Sequence, residues 1–283
     1  MLKINGKQKV QISGEELRQY QNDGVVYIES FYDITTEILP IQKDIYRIIE
    51  LIIAEFRLPI NQAPFTSEHF DAGLPDLVAH HRDFASILYD AVKRLPSYVR
   101  LANCQKHEDL ARILLGTDFV GFANRGYGMR MDHPNEDKFL TQWHQDYVTQ
   151  LCSQRGIVLW SPLRDVTLDV GPVMLCPHSH LEGIFPIVRE GGGSYGLKIK
   201  DEGKVVDRYP SISPEVKAGD LVVIDYMTLH SSLPNRSSDT RWAMISRYFD
   251  FLDKTGISHG WKGGLQEGNS FEQVHPELSE IKA

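Results

Sequence analysis

From Phe119 onward the chain carries no long helical pattern. It runs in short apolar or alternating stretches cut by Gly, Pro and Asn. Segments 119–123, 127–132, 141–148, 156–162, 172–175, 184–188, 204–208, 221–226 and 241–250 read as strands from their β-branched and aromatic content and the turn residues between them. Eight or more short strands at this density predict a closed barrel or jelly roll. No other feature limits the fold so strongly.

The preceding part is patterned differently. Ser13 and Glu16 are spaced as a capping box, predicting a short helix with Leu17 and Tyr20 inward that stops near Gly24. Val25-Val26-Tyr27-Ile28 then reads as a strand. Ile38, Ile41, Ile45, Ile48, Ile49, Ile52 and Ile53 recur at helical spacing over residues 33–56, interrupted by Pro40. Residues 83–115 give further helical patterns broken by Pro96. These stripes are read as core packing. The expected fold class is mainly β with flanking helices, built as one domain over residues 1–283. A helical N-terminal part (about 12–115) packs on a double-stranded β-helix, a jelly-roll, cupin-like barrel core (about 117–250). A tail (251–283) follows, read as a lid, a subunit contact or disorder. Gly191-Gly192-Gly193-Ser194 is read as a mobile loop or lid edge, since no helix start follows it to make a phosphate cradle.

Composition narrows the partners. The 283 residues are 42% hydrophobic, enough for a substantial core, and the formal net charge is −8 with no block of five or more like charges. Nucleic acid and anionic membrane are therefore not expected partners, because both need clustered Lys and Arg. Cys104, Cys152 and Cys176 are odd in number and lack a Cys-x-x-Cys spacing, which favours neither a disulfide framework nor structural zinc. Residues Met1 to Lys9 lack the apolar run of a signal peptide, and no stretch approaches the roughly 20 apolar residues of a spanning helix. A cytoplasmic protein, monomer or homodimer, acting on a small molecule is expected.

The candidate chemistry centres on Gln142-Trp143-His144-Gln145-Asp146-Tyr147. On an extended strand His144 and Asp146 share a face. His230, directly after the strand 221–226, would add a second imidazole and complete the two-histidine, one-carboxylate set that holds non-haem iron with one side open. Alone, the His-x-Asp pair is as readily a polar pair on a strand face. Ser232 shares the parity of His230, and Arg241 heads the apolar run to Phe249. An arginine there is costly to bury without a planar anion, and a bidentate carboxylate is the natural one. The plain alternative is a surface pair with Asp239 or Asp250.

With these residues assembled, the chain resembles the phytanoyl-CoA dioxygenase family. His144-x-Asp146, His230, Ser232 and Arg241 carry the resemblance. Pro162-Leu163-Arg164-Asp165-Val166 after Trp160, and Gly171-Pro172 through Pro177-His178-Ser179-His180, extend it. It runs from about residue 12 to 250 and is weakest over 55–115. The resemblance implies a double-stranded β-helix with Fe(II) on His144, Asp146 and His230, and 2-oxoglutarate held by Arg241 and Ser232. It implies an oxygenase that uses O2 and releases succinate and CO2. A carboxylate at 146 implies hydroxylation, since halogenases of the family carry a small residue there.

Further residues are assigned around this set. Gln142 has the parity of His144 and is expected to support the iron ligands or contact the bound acid. Trp160 is expected to wall the cosubstrate pocket, or else to be plain core. Tyr127, Arg130 and Arg247 are candidate substrate contacts, Arg247 hinting at an anionic substrate. Cys176, His178 and His180 cluster, but are read as a structural loop. His69, His80, His81, His107, His133, His259 and His275 are read as surface or incidental. The alternative function is a cupin-like, metal-dependent, non-oxidative isomerase or lyase.

Overall fold

The computed structural model describes residues 10, 12–123, 126–190, 196–264 and 267–281. The loop at Gly191 to Ser194 lies outside the described residues. Ser13 accepts from the backbone of Glu16 and Glu16 returns the bond, so the capping box opens α1 (Gly14–Asp23). Gly24 closes it at φ 69°, a left-handed position that favours glycine. Here a Cβ would also meet Thr228 Oγ1 at 2.3 Å, so no other residue fits without displacement.

Strand β1 (Val25–Ile28) follows. One π-type turn, residues 34–38, leads into α2 (Leu39–Glu55), with Pro40 in its first turn, where no backbone N–H is missed. The proline therefore starts the α-helix instead of breaking one. Helices α3 (Leu74–His80), α4 (Asp83–Val92), α5 (Pro96–Ala102) and α6 (Gln105–Leu115) complete the helical part.

The remainder is sheet, in β2 (Val120–Phe122), β3 (Gly128–Asp132), β4 (Gly156–Pro162), β5 (Val173–Leu175), β6 (Ile187–Arg189), β7 (Leu197–Ile199), β8 (Leu221–Asp225), β9 (His230–Ser232), β10 (Arg241–Asp250) and β11 (Ser279–Ile281). The main sheet has the order β1-β8-β4-β10-β2, with β3 also paired to β10, and all its pairings are antiparallel. Facing it are the pair β5-β9 and the set β11-β6-β7, with bridges at His144–His230, Leu175–Ile212 and Val166–Val216. This is the jelly roll expected from the strand density.

Alternation along the main sheet separates two cores. Ile157, Leu159, Val223, Trp242, Met244 and Tyr248 face the helices and join Ile41, Ile45 and Ile49 of α2 in one cluster. Val158, Trp160, Val222, Ile224 and Ala243 point the other way, into the barrel. The helical part thus seals the back of the sheet whose front carries the site.

Three expectations are corrected. Residues 204–208 do not form a strand; α8 (Glu202–Val206) stands there, and Val205 and Val206 pack on Cys176, Phe185 and Leu229 instead of joining a sheet. Segment 141–148 is not a continuous strand either. It makes one bridge at His144, then turns into the helical conformation at Asp146 and the short α7 (Tyr147–Gln150). His107 and His133 are buried, not superficial, the first between Tyr32 and the Ala102 carbonyl, the second against Thr240. In the tail, α9 (Lys254–Ser258), α10 (Phe271–Val274) and β11 pack back on the barrel, the last parallel to β6.

Candidate metal centre

Register places the inward residues of three strands around one cavity. Trp160 of β4 lies between Ile245 of β10 and Val222 of β8, and Val158 lies between Arg247 and Ile224. With Arg241, the Trp160, Ile245, Val158, Arg247 and Ile224 side chains wall a cavity of about 450 Å3 that also reaches His144, Asp146 and His230.

His144 and His230 are brought together by backbone pairing. Each N–H donates to the other's carbonyl, at 3.0 and 3.1 Å, and the ring centroids sit 4.1 Å apart. Asp146 arrives by a different route from the one that strand parity suggested. The chain turns helical at Asp146, φ −62° and ψ −32°, and this turn swings the carboxylate back toward the imidazoles. His144 Nε2 lies 3.8 Å from Asp146 Oδ1 and His230 Nε2 lies 3.9 Å from Oδ2. One ligand atom from each of the three residues lies within 4.8 Å of the others, and no other such cluster occurs among the described residues.

Hydrogen bonding fixes which nitrogen faces the cluster. His144 Nδ1 is 2.8 Å from the Gln142 carbonyl and His230 Nδ1 is 3.0 Å from the Thr228 carbonyl. A carbonyl can only accept, so each Nδ1 carries a hydrogen, and in the neutral ring the lone pair then lies on Nε2. Burial, reinforced by the neighbouring His230, lowers the His144 pKa to about 3 against the opposing pull of Asp146. Burial also lowers His230, with Asp146 opposing. Burial would raise the Asp146 carboxyl, but Arg247, followed by the two imidazoles, takes it down to about 2. At neutral pH the set is two neutral nitrogen donors and one ionised oxygen donor, a good match to a divalent first-row metal.

Asp146 is held by Arg247. Nε and Nη2 of the guanidinium each donate to one carboxylate oxygen, both at 3.2 Å. Gln145, between the two candidate ligands, fixes the loop itself. Its amide donates to the Gly183 and Met227 carbonyls at 2.7 and 2.6 Å and accepts from the Phe185 N–H at 2.8 Å.

At the far end of the cavity Arg241 is buried, and its partner is neither Asp239 nor Asp250 but Asp132. The two are register neighbours on β10 and β3. Arg241 Nε and Nη2 lie 3.1 and 3.0 Å from Asp132 Oδ2, and Nη1 donates to the Leu233 carbonyl at 3.3 Å. Arg130 donates to the other oxygen of Asp132 at 2.6 Å and to Thr141 Oγ1 at 2.8 Å. Burial alone would raise Asp132, and the two arginines lower it.

The other candidates fall as follows. Ser232, Trp160, Tyr127, Arg130 and Arg247 all line the same cavity as Arg241. Gln142 lends its carbonyl to His144, while its exposed side chain borders adjoining hollows and not this cavity. Cys176, His178 and His180 form a structural loop against α1, with His178 Nδ1 bonded to the Asn22 carbonyl. Sequence reasoning missed Asp132, Gln145 and Thr141. Only the register of β3 on β10 points to Asp132, and nothing local distinguishes Gln145.

A jelly-roll barrel with two imidazoles and a carboxylate converging at its open end defines a class of proteins, and sequence comparison names the family within it. A family model described as phytanoyl-CoA dioxygenase (PhyH) matches residues 20–243. The chain belongs to that family. It is 22% identical over 297 residues to a phytanoyl-CoA dioxygenase domain-containing protein 1 homolog of Dictyostelium discoideum, covering 93% of this chain and 99% of the relative. Among solved structures, its fold is similar to that of the epimerase SnoN from nogalamycin biosynthesis, in complex with Fe3+, alpha ketoglutarate and nogalamycin RO. That match has TM-score 0.58 and 16% identity, over 90% of this chain and 91% of the other. EctD from S. alaskensis in its apoform matches with TM-score 0.56 and 18% identity, over 99% and 90%. The carbocyclase SnoK, also from nogalamycin biosynthesis, matches with TM-score 0.55 and 18% identity, over 92% and 93%.

Proposed function

We propose that this protein is an Fe(II)- and 2-oxoglutarate-dependent dioxygenase that hydroxylates an unactivated C–H bond of a small metabolite. The observation that carries the reading is the convergence of His144, Asp146 and His230 in one cavity with the buried Arg241. Family membership and solved relatives holding iron and alpha ketoglutarate support it. The donor set fits Fe(II): two Nε2 lone pairs and an ionised carboxylate leave one side of a metal open. Iron and 2-oxoglutarate bound together supply O2 activation coupled to oxidative decarboxylation of the keto acid.

The protein's own residues do the rest. The Gln142 and Thr228 carbonyls hold both imidazoles in the ligating tautomer. Arg241, fixed by Asp132, would present a buried cation to the distal carboxylate of the cosubstrate, with Ser232 as a second donor on the wall. Trp160, on the cavity wall, would flank the keto acid and exclude water from that side. The proposed outcome is hydroxylation, supported by the carboxylate at position 146. SnoN and SnoK, an epimerase and a carbocyclase, mark the other outcomes to be tested.

The test uses Mn(II) as a redox-inert stand-in for binding and Fe(II) for turnover. The expected result is Mn(II)-dependent binding of 2-oxoglutarate, and Fe(II)-dependent succinate release that is lost in His144→Ala and Arg241→Ala. A protein that binds neither metal nor 2-oxoglutarate overturns the reading. Turnover without O2 that survives Arg241→Ala would place it instead with the non-oxidative metal-dependent isomerases and lyases.

A further inference from the structure

The residues of the metal centre border a second cavity, of about 190 Å3, on the side away from Trp160 and Arg241. His144, Asp146, Arg130 and Arg247 line both cavities. The remaining wall of the smaller one mixes apolar side chains, Trp143 and Val148 with Ile187 of β6 and Leu197 and Ile199 of β7, with the polar Thr141, Gln142, Gln145 and Thr149. Asp146 is its only acidic lining residue among those described. A chamber that sets an aliphatic wall beside convergent polar groups is a usual form of a small-molecule site.

Charge identifies the occupant. Three arginines, Arg130, Arg241 and Arg247, stand in the two cavities against two carboxylates, Asp132 and Asp146. Lys93, at the rim, is paired with Asp90 at 2.8 Å and contributes no surplus. Imidazoles that hold a metal through Nε2 are neutral. A divalent metal and a dicarboxylate cosubstrate cancel one another, so the loaded centre keeps one positive charge. That surplus falls on Arg247. Its carboxylate partner among the described residues is Asp146, whose negative charge a bound divalent cation would share. A buried cation left short of its counter-charge is costly, and a substrate anion removes that cost.

Resting on the proposed dioxygenase function, we infer that the smaller chamber is the substrate site and takes a compact aliphatic monocarboxylate. Its carbon chain lies along Ile187, Leu197 and Ile199, and its anionic group is drawn toward Arg247. The chamber adjoins the metal ligands themselves, so a substrate there needs no further opening to reach the reacting centre.

The test is binding without turnover, in the full chain loaded with Mn(II) and 2-oxoglutarate, by calorimetry and by Trp143 fluorescence. Hexanoate is compared with hexanamide and hexylamine, which keep the chain and change the charge. Hexanoate is expected to bind about tenfold or more tighter than hexanamide, and hexylamine not at all. Leu197→Trp, which fills the chamber, is expected to lose hexanoate while binding Mn(II) and 2-oxoglutarate as the parent does. Equal binding of acid and amide, or hexanoate binding unchanged in Leu197→Trp, overturns the inference. So does failure of hexanoate to bind the loaded parent at millimolar concentration. If the parent fails to take up Mn(II) and 2-oxoglutarate at all, the dioxygenase reading falls, and this inference with it.

Discussion

Arg241 and Asp132 face each other in register across β10 and β3, and their side chains meet at 3.0 Å in the wall of the cavity. Asp132 is shared, for Arg130 takes its other oxygen. One carboxylate therefore holds two guanidiniums that would otherwise repel, and it sets the direction of the buried one. The arginine chosen from the sequence as an anion anchor is thus already seated before any ligand arrives. Such preorganisation spares a ligand the cost of ordering the side chain.

Replacing that carboxylate tests the arrangement. Asp132→Asn is expected to lower stability by ~3 kcal/mol, because removing one member of a buried pair leaves an uncompensated charge. It is also expected to weaken 2-oxoglutarate binding to the Mn(II)-loaded protein by roughly tenfold through loss of orientation. Thermal denaturation and calorimetry read the two effects separately. Tighter 2-oxoglutarate binding in Asp132→Asn would mean that Asp132 competes for Arg241 instead of positioning it.

Arg247 bears on the metal through Asp146. With Gln in its place, the carboxylate loses two donors and a neighbouring cation, so its orientation is no longer imposed. Mn(II) affinity of Arg247→Gln is expected to fall by roughly 10- to 100-fold, the usual effect of removing a partner of a metal-binding side chain. Arg247→Lys restores charge but not the two-pronged grip, and is expected to recover only part of the loss. If both variants bind Mn(II) as the parent does, the pair is structural only.

These relationships mark where sequence reasoning stopped. Local signals were legible: Ser13 and Glu16 specify a capping box by spacing alone, and the strand expected over 241–250 is β10, residue for residue. His144, Asp146 and His230 were found from their types and separation, and they do converge. The route was not legible, because Asp146 reaches the site through a turn that a strand reading does not contain. Strands β7, β9 and β11 have three residues each, too few for a period to register. Val205 and Val206 are β-branched yet helical, since tertiary packing overrides so weak a propensity. Asp132 became visible only with the β3–β10 register, which is a long-range fact.

Gln145 is the least conspicuous of the residues that matter. It is fully buried, and its amide joins the ligand loop to the Gly183–Phe185 turn and to Met227 ahead of His230. Gln145→Ala leaves two carbonyls and one N–H without a partner, at ~1 kcal/mol or more each. The expected result is a stability loss of about 3 kcal/mol with weaker Mn(II) binding, both measurable on the purified variant. Gln145→Glu keeps the acceptor but loses the donors, so it is expected to be no better than Ala. Unchanged metal affinity in both would show that the loop holds its shape without this clamp.

His107 gives the fold a pH dependence apart from the metal centre. Its Nδ1 donates to the Ala102 carbonyl and its Nε2 accepts from the Tyr32 hydroxyl at 2.7 Å, so the ring is buried neutral. Burial lowers its pKa from 6.5 to about 3. The unfolded chain takes up a proton near pH 6.5 that the folded chain refuses until about pH 3. Stability therefore is fully present above pH 6.5 and is lost as pH falls through that window, by on the order of 1 kcal/mol per pH unit. Urea denaturation of chelator-treated protein between pH 7 and pH 5, above the range where most carboxylates titrate, is expected to show a falling midpoint. His107→Gln, which keeps an acceptor for Tyr32 and cannot ionise, is expected to start less stable and to show a shallower slope over the same interval. His133, His144, His230 and His259, lowered in the same direction, contribute to the slope that remains. A parent slope that His107→Gln reproduces in full would exclude His107 as its source.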